Sequence, residues 1–327
     1  MHGGRGRVDR RTVLRTFGAL GLLAAVPAAV AACASPYATA RLTLATGGTQ
    51  GVYYALGNVL ADVWRARLGL DTRPEVLSTA GSVDNLRLLT AGRADVVFSQ
   101  VDTAADQLQR TRAGDPHELR ALARIYDDVV HVVVPAESPA TSLVGLRGSR
   151  VSVGAPESGV AVIARRLLAV AGLAPDVDFR TFQLGINDSV AGLESGELDA
   201  FFWVGGLPTE GVTRLAAARP IRLLDLDDLI GPVRDAYPVY APGTVPAGNY
   251  RISEPITTLL VRNFLLVART MPDDMAYALV ESLFAAQEQL TAASPAALTI
   301  DPRSGIGTQP VPLHPGAERF FQAMKPI

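Results

Sequence analysis

The sequence is almost free of cysteine and lysine, two residue types that carry much enzyme chemistry. Its 327 residues include one cysteine, Cys33, and one lysine, Lys325. A single cysteine cannot form an internal disulfide. A phosphate-binding P-loop ends in lysine, and a Schiff-base enzyme needs a lysine amine in a pocket. The sequence therefore excludes both of these classes.

Excess charge of one sign and aromatic residues are scarce as well. There are 30 basic and 32 acidic residues, a net charge of −2, and only 6% aromatic residues. Nucleic-acid binding relies on a basic surface and on aromatic stacking, so we predict no nucleic-acid partner. Hydrophobic residues make up 48% of the chain, which is typical of a folded globular protein, and the length allows two domains.

Metal and acid–base chemistry have little support. His117, His131 and His314 have no second histidine or cysteine at helical spacing, and there is neither an HExxH motif nor a Cys/His cluster. We interpret His131 as a core histidine within a valine-rich strand and His314 as a structural contact. The adjacent acids are interpreted as solvated faces or helix starts; they are Asp127-Asp128, Asp227-Asp228 and Asp273-Asp274. We predict no catalysis, no cofactor and no metal site.

The first 32 residues are typical of an export signal. A basic segment ending at Arg15 precedes 17 uncharged residues, 16 to 32, which is short for a membrane span of about 20 residues. Arg10-Arg11 resembles a twin-arginine signal, and the general secretory route fits equally well. Cys33 follows Val30-Ala31-Ala32, which resembles the lipobox of bacterial lipoproteins. We predict acylation of Cys33, a tether over residues 33–40 and a location in the periplasm or on the outer face of the cytoplasmic membrane.

Two parts of the chain repeat one order of elements: strand, small-residue loop, helix. The first copy comprises Leu42–Thr46, Gly47–Gly51 and Tyr53–Leu68, and the second comprises Arg150–Gly154, Ala155–Gly159 and Val160–Ala171. Further along each copy, a glycine and an aspartate precede an apolar strand. These residues are Gly92 and Asp95 in the first copy and Gly196 and Asp199 in the second. The repetition predicts two α/β lobes, over residues 41–132 and 133–250.

Two apolar strands are expected to cross between the lobes and to form a hinge. They are Val129–Val134 and Ile256–Val261. Residues 251–327 then form the return strand and the C-terminal helices, over Ala276–Leu290 and Pro315–Met324, which we expect to pack on the first lobe.

The loops that follow the strands are the expected ligand site. In open α/β sheets the ligand crevice lies at the carboxyl ends of the strands, where helix N-termini present unpaired N–H groups. Such groups favour an anion, so we expect a small carboxylate or similar group between the lobes. The loop Gly47–Gly51 does not match G-x-G-x-x-G, which disfavours nucleotides. Ser82 is interpretable as an N-cap, Asn85 as a polar face residue and Trp203 as core, and each is equally interpretable as a ligand contact.

Several motifs together resemble TAXI-type solute-binding proteins of TRAP transporters, over nearly the whole mature chain. They are Gly47–Tyr54, Gly81–Asn85, Gly92–Asp95 with Gln100–Asp102, Leu146–Gly148 with Val151–Gly154, and Leu313–Glu318. The resemblance implies a two-lobed periplasmic-binding-protein fold, a type II-like Venus flytrap with two crossover strands. It further implies capture of a small organic acid, such as glutamate or a dicarboxylate, and its delivery to a TRAP permease.

The resemblance also implies a set of ligand-binding positions. These are Gly51, Tyr53, Ser82, Asn85, Gln100, Asp102, Ser158, Gly159, Trp203 and Gly205. Gln50 replaces a glycine usual in the family, and Val160 replaces a threonine whose hydroxyl hydrogen bond contributes about 0.5 to 1.5 kcal/mol. These departures leave the ligand open. Two alternatives share the same residues: the binding protein of an ABC importer and a ligand sensor for a membrane kinase. A monomer with membrane contact only through its lipid is expected.

Overall fold

A computed structural model describes residues 1–3, 35–112 and 114–324. Its strands are β1 (Thr43–Ala45), β2 (Glu75–Leu77), β3 (Val96–Gln100), β4 (Leu119–Pro135), β5 (Arg150–Ser152), β6 (Arg180–Phe182), β7 (Ala200–Gly205), β8 (Ile221–Leu223), β9 (Ala241–Val245) and β10 (Ile256–Ala268). Its α-helices are α1 (Val52–Leu68), α2 (Ser82–Thr90), α3 (Val101–Arg110), α4 (Gly159–Val170), α5 (Ile186–Ser195), α6 (Glu210–Ala218), α7 (Asp227–Ala236), α8 (Asp273–Ala285), α9 (Gln287–Ala293), α10 (Pro302–Gly305) and α11 (Pro315–Ala323). The predicted export signal, Cys33 and Lys325 lie outside the described residues.

The strands form one mixed sheet in the order β2-β1-β3-β10-β4-β7-β5-β6, with β8 paired to β4 and β9 paired to β10. β1 runs parallel to β2 and β3, and β5 runs parallel to β6 and β7. Each parallel trio is bordered by one long antiparallel strand, β10 beside β3 and β4 beside β7. The order β2-β1-β3-β10 is therefore repeated as β6-β5-β7-β4, and we call these the first and second halves of the sheet.

The two halves use the same side-chain contact to join their strands. In the first half, the N–H of Thr43 donates to Oδ2 of Asp95 at 2.7 Å. In the second, the N–H of Arg150 donates to Oδ2 of Asp199 at 2.8 Å. The glycine before each aspartate has a left-handed backbone, with φ of 65° at Gly92 and 80° at Gly196. The matched segments in the sequence thus fold into matched structures.

The C-terminal helices pack against the first half of the sheet. Helix α1 buries Leu56, Leu60 and Trp64, and the indole N–H of Trp64 donates to the carbonyl of Leu279 in α8 at 3.3 Å. The single helix predicted over residues 276–290 is two helices, α8 and α9, with a break at Ala286. At α11, Nδ1 of His314 accepts a hydrogen bond from the N–H of Gly316, so His314 is an N-cap.

The long strands β4 and β10 lie side by side at the centre and contain both predicted crossing segments. Residues from Tyr37 onward form one contact unit, and the lobe boundaries at 132 and 250 stay a prediction. Within the described part of the chain, every helix is too short or too polar to span a bilayer.

Candidate functional site

Both small-residue loops line one cavity, and each loop contacts a helix start of the other half of the sheet. The N–H of Asp84, in the first turn of α2, donates to the carbonyl of Glu157 in the second loop at 2.9 Å. A Cβ placed on Gly81 would lie 3.7 Å from Cβ of Ser158. A Cβ on Gly48 would lie 3.4 Å from the side chain of Ile186. The halves therefore contact each other through their helix N-termini.

Five helices begin at the cavity between these loops. The N-cap residues of α1, α2, α3, α4 and α5 all line it, and they are Gly51, Gly81, Gln100, Ser158 and Gly185. The first N–H groups of a helix have no partner within the helix and carry the positive end of its dipole. The sequence folds this way because a small residue precedes four of the five helices and lets the chain turn sharply.

The cavity has a volume of about 170 Å³. This is below the several hundred Å³ typical of pockets for drug-sized ligands, so the cavity fits a small solute. No arginine, lysine or histidine is among the described residues that line it. Helix N-termini are consequently the source of positive potential there.

Eight of the ten sequence-predicted ligand residues line the cavity. They are Gly51, Tyr53, Ser82, Gln100, Ser158, Gly159, Trp203 and Gly205. Val160, one of the two departures from the family pattern, lines it too. The structure thus brings together residues separated by more than 150 positions, and their roles in ligand binding stay predictions.

Asn85 and Asp102 do not line the cavity, because both side chains make hydrogen bonds within the fold. Nδ2 of Asn85 donates to the carbonyls of Thr46 and Phe98 at 2.6 and 2.9 Å. Asn85 therefore holds the ends of β1 and β3 together, and its interpretation as an exposed polar-face residue is wrong. The N-cap interpretation of Ser82 is also wrong, because Gly81 is the N-cap of α2 and Ser82 its first residue.

Asp102 joins the two halves instead. It is 0% exposed, and Oδ2 accepts a hydrogen bond from the hydroxyl of Tyr240 at 2.7 Å. Arg166 of α4 lies 3.5 Å from the same carboxylate and pairs with Asp106 at 2.8 Å. Burial raises the pKa of Asp102, which these bonds partly offset. This contact connects α3 to α4 beside the cavity.

Three aromatic residues line the cavity, Tyr53, Tyr126 and Trp203. The ring of Tyr53 stacks on Phe98 with centroids 4.9 Å apart, and its hydroxyl donates to Oδ1 of Asn263. The indole N–H of Trp203 donates to Oγ1 of Thr209 at 3.0 Å, and its ring lies 3.8 Å from the place of a Cβ on Gly51. Trp203 is half-buried and lines the cavity.

Asp128 is the charged residue among those described that line the cavity, and the sequence analysis missed it, as it missed Thr79, Tyr126 and Leu184–Ile186. It lies in β4, is 2% exposed and accepts a hydrogen bond through Oδ2 from Nε2 of Gln100 at 2.8 Å. Burial raises its pKa to about 7. The interpretation of Asp127-Asp128 as a solvated pair is wrong for Asp128, because alternate residues of a strand face opposite sides. Its place directly before the apolar residues Val129 and Val130 of the same strand was the available signal.

Neither a metal cluster nor a charged histidine accompanies the cavity in the described part of the chain. Among the described residues, no group of three or more His, Cys, Asp or Glu side chains is placed to hold a metal ion. His131 is buried in β4, and Nε2 lies 3.2 Å from the hydroxyl of Tyr250. Burial lowers the pKa of His131 to about 4, so the ring is neutral in the folded protein.

Comparison with known proteins finds relatives at the levels of family and fold. The model of the NMT1-like family matches residues 44–323. A Bordetella bronchiseptica RB50 protein superposes with a TM-score of 0.53 at 20% identity, over 88% of this chain and 90% of its own. A structure described as a periplasmic transporter gives 0.52 at 15% identity, over 86% and 92%. A putative L-cystine ABC transporter from Listeria monocytogenes gives 0.50 at 13% identity, over 79% and 95%.

These likenesses confirm the predicted fold class, the α/β fold of periplasmic binding proteins. At such low identity they concern the fold alone. Membership of the TAXI group stays a prediction.

Proposed function

Because the chain belongs to the NMT1-like family, we propose that it is an extracytoplasmic solute-binding protein without catalytic activity. It captures a small solute with an anionic group in the cavity between the two halves of its sheet and delivers it to a membrane transporter. The observation that carries this proposal is the convergence of five helix N-termini on one small cavity that no cationic side chain lines among the described residues.

The physical argument is electrostatic. Each helix N-terminus supplies a partial positive charge and N–H groups that have no acceptor within the helix, and several of them together make an anion site without an arginine or lysine. Some of these groups are bonded within the fold, as Asp84 is to Glu157 and Ala161 to Oγ of Ser158, so the remaining first-turn groups are the proposed donors. The donors come from both halves of the sheet, α1, α2 and α3 from the first and α4 and α5 from the second. A solute held by both sets of donors stabilises the arrangement in which the halves are in contact, which is a population shift toward the closed form.

For the transporter, the resemblance to TAXI-type proteins favours a TRAP permease. The Cys33 lipobox favours a lipid-anchored location in the periplasm or on the outer face of the cytoplasmic membrane. An ABC importer is the second candidate, and the fold likeness to a putative L-cystine ABC transporter favours it. Genes for a TRAP permease or for an ABC permease and ATPase beside this one would separate the candidates.

The binding role is tested on the purified protein. Solutes released by denaturation are identified by mass spectrometry and then titrated back while tryptophan fluorescence is followed. We expect saturable binding and a spectral change that disappears in Trp203→Phe, because Trp64 is fully buried behind the sheet. The proposal is wrong if organic acids, amino acids, sulfonates and a native extract all fail to bind.

A further inference from the structure

Two hydrogen-bond acceptors at the cavity have no partner. Oε1 of Gln100 and Oδ1 of Asp128 are buried and unpaired among the described residues. The two side chains are linked by the bond from Nε2 of Gln100 to Oδ2 of Asp128, which fixes the orientation of the Gln100 amide. Both residues line the cavity and are at most 3% exposed. Buried polar atoms are rarely left unpaired, so each calls for a donor that the protein does not supply.

The carboxylate of Asp128 also forms no ion pair with any of the described residues. Gln100 of β3 donates to its Oδ2, and the polar side chains of Tyr126 of β4, Asn263 of β10 and Tyr53 of α1 lie close enough to affect its pKa or to be affected by its charge. The charged groups that act on it, Asp127 and Asp102, are both acidic, which together with burial raises its pKa. The nearby cation Arg124 pairs with Asp127 at 2.7 Å.

We propose that Asp128 and Gln100 form an acceptor subsite for a positively charged N–H donor group of the solute. This inference rests on the proposed function and deepens it. The solute then carries two groups of opposite charge, an anionic group at the helix N-termini and an amino or similar group at Asp128. Asp128 is accordingly a specificity-determining residue: it selects zwitterionic solutes and disfavours dianions of the same size, whose second carboxylate would face its own.

The test compares solute pairs that differ in the amino group. L-glutamate is titrated against glutarate, β-alanine against succinate, and taurine against ethanesulfonate. The proteins are the full chain, Asp128→Asn and the matched control Asp127→Asn, whose side chain is paired with Arg124 outside the cavity. A pair in which the amino-bearing member binds the unaltered protein more tightly supports the proposal.

In Asp128→Asn we expect amino-bearing solutes to bind roughly tenfold to a hundredfold more weakly, as for loss of a hydrogen bond to a charged group. The preference over the paired anion should also disappear, while Asp127→Asn keeps both affinity and preference. Affinity of the unaltered protein for an amino-bearing solute should rise with pH as Asp128 ionises, and this rise should be absent in Asp128→Asn. Thermal unfolding at pH 8 checks folding, and the neutral variant should be at least as stable.

Three results would overturn the inference: a preference for the anion lacking the amino group, equal affinities in Asp128→Asn and the unaltered protein, or affinity that falls as pH rises. The last result would mean that protonated Asp128 donates to an anion. If no member of the pairs binds, the solute released from the purified protein decides, because a cationic N–H group on it supports the inference and its lack overturns it. Failure of the proposed function is a different result, namely that no solute of any charge binds.

Discussion

Replacing Gly159 by alanine tests whether close contact between the halves is required for binding. A Cβ at this position would lie 1.9 Å from Oε1 and 2.8 Å from Cδ of Gln100, and 3.0 Å from Oγ of Ser82. Gln100 cannot move aside freely, because it is buried and bonded to Asp128. The halves must separate or the Gln100 bond must break, and such overpacking costs about 1 to 3 kcal/mol.

That cost applies only when the halves are in contact. If the solute binds this arrangement, its affinity falls by the same free energy, roughly 5- to 150-fold. Calorimetric titration measures the loss, and small-angle X-ray scattering measures the radius of gyration with and without solute. We expect Gly159→Ala to remain the more expanded of the two proteins at a solute concentration that saturates the unaltered protein.

Gly231→Ala is the matched control. Gly231 lies in α7, and a Cβ added there would meet no heavy atom within 4 Å apart from its chain neighbours and the backbone of its own helix. The position is exposed and outside the cavity, so solute affinity should be unchanged. The stability gained by removing a helical glycine is opposed there by the contact of a Cβ with the following Pro232, so we expect only a small change in stability. Affinity of Gly159→Ala within about twofold of the unaltered protein would refute the reasoning, since the collision would then have no effect on binding.

Two further predictions concern the stability of the folded protein, the first its dependence on pH and the second the matched aspartates. The folded protein keeps Asp128 protonated up to about pH 7 and His131 neutral down to about pH 4, whereas their ordinary pKa values are 3.8 and 6.5. Between about pH 4 and 6.5, Asp128 lowers the free energy of unfolding as the pH rises, because it ionises only in the unfolded chain. His131 lowers it as the pH falls, because it is protonated only in the unfolded chain. Each effect is at most about 1.4 kcal/mol per pH unit. Each single variant keeps only the contribution of the other residue. Urea unfolding across this range should therefore show stability that rises with pH in Asp128→Asn and falls with pH in His131→Gln. The same direction of change in both variants would contradict the assigned pKa shifts. The second prediction is that Asp95→Ala and Asp199→Ala each lower the free energy of unfolding, measured by chemical denaturation, by about 1 to 3 kcal/mol. Each substitution leaves a strand N–H without its acceptor. An effect in only one of the two variants would contradict their matched roles.

The repeat was predictable because its signals are local in sequence. A strand, a small-residue loop and a helix start follow one another within about ten residues, and each has its own residue pattern. The aspartates 95 and 199 follow a left-handed glycine at the same distance in both copies. Helix α1 was predicted to within one residue at its start, since Gly51 ends the loop and an apolar face follows.

The hydrogen bonds of the buried polar side chains at and beside the cavity could not be predicted in this way. Asp127 and Asp128 are adjacent, and only the packing of β4 between β10 and β7 decides which of them is buried. The partner of Asp128, Gln100, is 28 positions away on another strand. The role of Asn85 was unpredictable for the same reason, because its partner Thr46 lies 39 positions earlier. Polar residues acquire such roles only when distant strands come together.

The two components of the site depend on the sequence in different ways. The N–H groups at the helix starts belong to the backbone, so replacing a side chain there, as Val160 replaces the family's usual threonine, leaves them in place. In the proposed function, the affinity for an anionic group therefore depends on these backbone groups, and a substitution lowers it where the new side chain collides with the other half, as at Gly159. The acceptor at Asp128 is a single side chain, and one substitution removes it. If Asp128 is the acceptor that we propose, a substitution at residue 128 should change which charge the solute carries away from the helix starts, while the helix N-termini stay as they are.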